Sequence, residues 1–115
     1  MIDTKAVALF KEIEEKTASR KLAWEPTAME GIFVVPIKGK FVLKAYSYTE
    51  TEAGAGRIGP PSFTLFDGDE IVVDINYRVG GVSTEQLNGL YALVRRQALK
   101  TDEKIDDVLS ELKKL

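Results

Sequence analysis

The sequence predicts an α+β domain: an N-terminal helix, an antiparallel meander sheet of about five strands, and two C-terminal helices packed on one face of that sheet. Three observations lead there. Apolar residues recur at three- and four-residue spacing at both ends of the chain, which is the helical period. The middle is rich in β-branched and aromatic residues and alternates with period two. The turns between these runs are short and contain glycine, too short for the crossovers that parallel strands need. At 115 residues the chain has the commonest size of a single domain, so residues 1–115 are read as one unit.

Residues 3–20 carry the first helical stripe: Ala6, Leu9, Phe10, Ile13 and Thr17, with Lys11, Glu12, Glu14, Glu15 and Lys16 filling the rest. Asp3 or Thr4 caps its start. Lys21 to Glu25 alternate around Leu22 and Trp24 as a first strand, which Pro26 ends. Ile32 to Ile37 is a short apolar strand with Pro36 near its end, and Lys38-Gly39-Lys40 turns into Phe41 to Thr49. There Phe41, Leu43 and Ala45 share one face, and Val42, Lys44, Tyr46 and Tyr48 the other. Ser62 to Phe66 and Ile71 to Tyr77 form a hairpin around Asp67-Gly68-Asp69-Glu70. In simple register Phe63 and Leu65 face the same side as Ile71, Val73 and Ile75.

Helices return after Gly80-Gly81. Ser83-Thr84-Glu85-Gln86 matches a capping box, with Leu87, Leu90, Tyr91, Val94 and Ala98 as the stripe behind it. Thr101-Asp102-Glu103 signals a second start, and Ile105, Val108, Leu109, Leu112 and Leu115 make the last stripe. Whether helices 84–99 and 102–114 are separate or continuous is open at this level.

Composition narrows the function classes. The chain has no histidine and no cysteine. That removes disulfides, thiol nucleophiles, zinc sites built on sulfur or imidazole, and the commonest acid–base side chain near neutral pH. Sixteen basic and 18 acidic residues give a net charge of −2, so no global field favours nucleic acid. No apolar run approaches the roughly 20 residues of a membrane span, and the N-terminus lacks a signal-peptide pattern. A cytoplasmic location is expected.

Four features are candidates for function. Gly54-Ala55-Gly56-Arg57-Ile58-Gly59 spells G-x-G-x-x-G. A dinucleotide fingerprint needs a helix opening on the third glycine, and here Pro60-Pro61 and then a strand follow, so a Rossmann site is rejected. The loop reads as a plain connection between strands or as a small anion- or partner-binding loop using the amides of Gly54, Gly56 and Gly59 with Arg57. Tyr46 and Tyr48, two apart on one strand face, form an aromatic patch with Val42 and Phe66, either an interface or a surface covered by another element. Arg95 and Arg96 sit where cations favour a helix C-terminus, with an acidic-partner or phosphate contact as the lesser reading. The carboxylates Glu50, Glu52, Asp67, Asp69 and Glu70 follow turn chemistry and lack the calcium-loop pattern, so no metal is expected.

The run Asn88 to Ala98, with Leu90-Tyr91 and Arg95-Arg96, and the run Ile105 to Leu112 resemble a scattered group of small uncharacterised bacterial α+β proteins, as do Trp24 and the Phe63-to-Ile75 hairpin. The resemblance covers most of the chain and implies a bacterial or phage origin. Its motifs are packing motifs, so it implies no site residues. The expectation is a non-enzymatic binding protein without cofactor, a homodimer engaging a protein partner. The alternatives are a binder of a nucleotide or other phosphorylated molecule at the glycine-rich loop, and, third, a carboxylate enzyme.

Overall fold

The computed structural model describes residues 3–47 and 59–115. Its elements are α1 (Thr4–Ala18), β1 (Glu25–Pro26), β2 (Ile32–Lys38), β3 (Phe41–Tyr46), β4 (Ser62–Asp67), β5 (Glu70–Ile75), α2 (Thr84–Ala98) and α3 (Thr101–Lys113). The strands make one antiparallel sheet in the order β1-β2-β3-β4-β5. The expected α+β architecture is therefore present.

Helix ends follow their local chemistry. The Asp3 carboxylate accepts from the Ala6 amide at 3.0 Å, so Asp3 is the cap of α1. The Ser83 hydroxyl accepts from the Gln86 amide at 3.1 Å, and the Gln86 side chain accepts from the Ser83 amide at 2.8 Å, closing the capping box of α2. The two C-terminal helices are separate: Lys100 adopts a left-handed φ of 54° between them.

The core lies between the helices and one sheet face. Phe33, Val35, Leu43, Ala45, Phe63 and Ile75 project from the sheet and meet Phe10 and Ile13 of α1 and Leu87, Leu90 and Val94 of α2. Phe63 is fully buried, with the rings of Phe10 and Trp24 edge-on to it at 6.0 and 6.5 Å. Thr17 is also fully buried. Its hydroxyl accepts from the Trp24 indole at 3.0 Å and its carbonyl from the Gln97 amide at 2.8 Å, which ties α1 to α2. The Tyr91 hydroxyl donates to the Gly31 carbonyl at 2.6 Å and fixes the entry to β2. Gly31 sits there at φ 83°, a left-handed conformation that side chains resist.

Three local expectations are corrected. The strand expected over Lys21 to Glu25 is reduced to Glu25–Pro26. Trp24 reaches back into the core to bond Thr17, so the preceding segment is held by a side chain and not by a ladder. The hairpin turn is shorter than Asp67 to Glu70: those two residues pair with each other, and Gly68, at φ 61°, turns the chain with Asp69. The register is also not simple. Phe63 pairs with Ile75 and Leu65 with Val73, but a bulge then pairs Phe66 with Ile71. Ile71 is therefore on the outer face with Phe66, largely exposed, rather than in the core. β2 carries a matching irregularity, with Pro36 opposite Val42 and Lys38 opposite Phe41. Both departures lie beside two-residue turns. Those turns are neighbours, since the Gly68 amide donates to the Lys40 carbonyl at 3.1 Å.

Candidate functional site

Two apolar surfaces remain uncovered. The first is the last helix. Its first-turn acids Asp102 and Glu103 suit the positive end of the helix dipole. From Glu103 to Leu115 every residue is exposed. The stripe Ile105, Val108, Leu109, Leu112 and Leu115 is amphipathic in the same sense as that of α2, yet Val108 and Leu112 stand 56% and 57% exposed. The radius of gyration, 15.8 Å, exceeds the roughly 13 Å expected for a compact chain of this length, as a projecting helix requires.

The base of α3 is fixed. The Arg96 guanidinium donates to the Asp102 carboxylate at 2.8 Å, and Arg20, just past the end of α1, lies 3.6 Å from the other carboxylate oxygen. One carboxylate thus joins the ends of all three helices. The Arg96 hydrogen bond lowers the Asp102 pKa from its ordinary value and outweighs the opposing effect of desolvation, with smaller lowering contributions from the charges of Arg96 and Arg20. The same bond raises that of Arg96.

The second surface is a groove of about 390 Å³ on the core side of the sheet, beside α1. Leu9, Ile13 and Leu22 line one wall, and Ile37, Phe41, Leu43 and Leu65 the floor. The groove exists because β2 and β3 run on to the turn at Gly39 beyond the cover of α1 and α2. Ile37 and Phe41 accordingly stay 47% and 42% exposed, although Phe41 shares a face with the buried Leu43.

The residues singled out from sequence do not form one site. Gly54, Gly56, Arg57 and Tyr48 lie outside the described residues. Gly59 is described and borders a small polar recess with Asp74, Asn76 and Arg78. There Asp74 accepts from the Thr64 hydroxyl at 3.0 Å and from the Asn76 amide at 3.2 Å. Pro60-Pro61 does lead into a strand, β4, as the rejection of a Rossmann site required. Tyr46 is half-buried on the outer sheet face with Val42 and Phe66, and the Lys44 ammonium sits 5.0 Å above the Phe66 ring. Arg95 and Arg96 are both in the last turn of α2. Arg96 has the structural role of holding Asp102.

Sequence reasoning missed the groove and the exposure of α3. The stripe of α3 is legible in the sequence, but no local feature tells that it stands in solvent rather than against the sheet. No side-chain cluster with metal-ligating composition occurs among the described residues, and among them no helix is long and apolar enough to cross a membrane. No protein-family model matches the chain, and neither a curated protein nor a solved structure does so.

Proposed function

We propose that this protein is a non-enzymatic, cytoplasmic interaction protein that works by engaging a polypeptide along the apolar stripe of α3. One observation carries the reading: a 13-residue helix with a regular apolar stripe has no buried residue. A stripe of this kind pays its way only when it is covered, and an exposed apolar patch of several hundred Å² is the usual mark of a binding surface. The ion-paired base supports the same reading, because it holds the helix root to the body and leaves the stripe presented. The missing histidine and cysteine weigh against catalysis.

A photo-crosslinking residue placed at Leu112, and as a control at Ser110 on the opposite face, tests this in cells. The reading expects a discrete protein adduct from position 112 and none from 110. Absence of any adduct from positions 108, 109 and 112 overturns it.

A further inference from the structure

We infer that α2 and α3 are two halves of one helix, held bent at Lys100 by the Asp102 carboxylate. Opening this clamp lets the chain straighten from Thr84 to Lys113 and re-aims the apolar stripe of α3. The inference concerns the direction of α3 and does not depend on what covers it.

The sequence supplies no breaker at the join. Nothing after Gly89 is glycine or proline. Val94, Ala98, Thr101, Ile105, Val108 and Leu112 follow one another at alternating steps of four and three residues, straight through Lys100. That is the phase of a single helical stripe. Two helices joined by a turn have no need to keep it.

The break is locally unfavourable. Lys100 takes φ 54°, a left-handed conformation that a residue with a side chain resists. α3 has no side-chain cap, and its first backbone bond runs from the Lys104 amide to the Lys100 carbonyl. The amides of Thr101, Asp102 and Glu103 therefore lack the acceptors that Gln97, Ala98 and Leu99 would supply in a continuous helix.

The clamp offsets this and exists only in the bent form. Nε and Nη2 of Arg96 both donate to one Asp102 oxygen, and Arg20 lies 3.6 Å from the other. In a continuous helix Arg96 and Asp102 lie about 120° apart around the axis and about 9 Å along it. Only residues three or four apart meet on a helix surface, so the bond is lost there. α3 has no buried residue to hold it in place otherwise. Each form has bonds the other lacks, which makes the join a two-state element.

Amide exchange reads the bonds at the join. The chain has no cysteine, so spin labels on Asn88→Cys and Ser110→Cys, both exposed, read the bend. In the parent the Thr101, Asp102 and Glu103 amides are expected to exchange freely, with a label distance short of the roughly 33 Å of an unbroken helix. Asp102→Ala and Arg96→Ala break the clamp from its two sides. Each raises the protection of those amides about tenfold or more and moves the distance toward the unbroken value. Adding Lys100→Gly to Asp102→Ala returns both readouts to those of the parent, because glycine accepts the left-handed conformation and disfavours a helix interior. Unchanged protection of Leu90 and Val94 confirms that the body stays folded. Amides left unprotected in both clamp variants, protection that survives Lys100→Gly, or protected amides in the parent overturns the inference. A distance that broadens with no protection gained shows a loose joint in place of a second helical form, and overturns it as well.

Discussion

α2 and α3 are consecutive helices with nearly the same design and opposite fates. Each has an apolar stripe at helical spacing, acids in the first turn and bases in the last. In α2 the stripe is buried: Leu87 and Val94 are inaccessible, and Leu90 and Ala98 almost so. In α3 the equivalent side chains stand in solvent. The difference lies outside the helices. α1 and α2 lie on the core face of the sheet, and the left-handed Lys100 turns the chain before the third helix, whose residues pack on no such surface. A periodic stripe therefore states that a helix seeks a cover, and says nothing of which surface supplies it.

The largest expected contrast comes from matched truncations. Leu90→Ala removes buried side-chain volume and is expected to lower monomer stability by about 2–5 kcal/mol. Leu112→Ala, measured by denaturant unfolding at low concentration, is expected to change it by no more than about 0.5 kcal/mol. Equal losses would mean that α3 is covered within its own chain. Next comes Thr17→Val, which removes the acceptor of the Trp24 indole while keeping the shape. Leaving that buried donor unpaired is expected to cost about 1–3 kcal/mol. A neutral result would show that Trp24 finds another acceptor. Ser83→Ala opens the capping box of α2 for about 1 kcal/mol. α3 lacks a side-chain cap and has no equivalent to lose.

The smallest effect is electrostatic. Asp102 has a lowered pKa in the folded state, chiefly from the Arg96 hydrogen bond. A carboxylate whose folded pKa lies below its unfolded value stabilises fully above that value, near pH 4. The contribution disappears as the pH falls through the lowered folded pKa. Unfolding curves of the parent and Asp102→Asn are therefore expected to differ slightly at neutral pH and low salt and to converge in acid. They should also approach one another in high salt. A gap that persists in acid would assign Asp102 a role other than the ion pair.

Much of this fold is written in local sequence. Ser83 and Gln86 announce the start of α2 because capping needs only residues three apart. Phe63, Leu65, Val73 and Ile75 declare one face of the β4–β5 hairpin because strand alternation is local too. The bulge that turns Ile71 outward is less legible. It inserts one residue without a distinctive side chain, and its register is settled across the strands. Trp24 is a similar case: an alternating segment reads as a strand until the indole finds Thr17, buried in a helix seven residues earlier. The candidate loop at Gly54 to Gly59 was conspicuous by composition, while the α3 surface looked like ordinary core.

The sequence by itself determined the kinds of element, their order, most of their ends and the antiparallel sense of the sheet, because propensity, capping and turn chemistry act over a few residues. It also determined the chemistry this chain lacks, since no arrangement supplies an absent imidazole or thiol. Only the tertiary structure decided which apolar stripe is core and which is surface. That choice depends on where one left-handed residue, Lys100, directs the helix after it. Burial is a property of two surfaces meeting, and α3 carries only one of them.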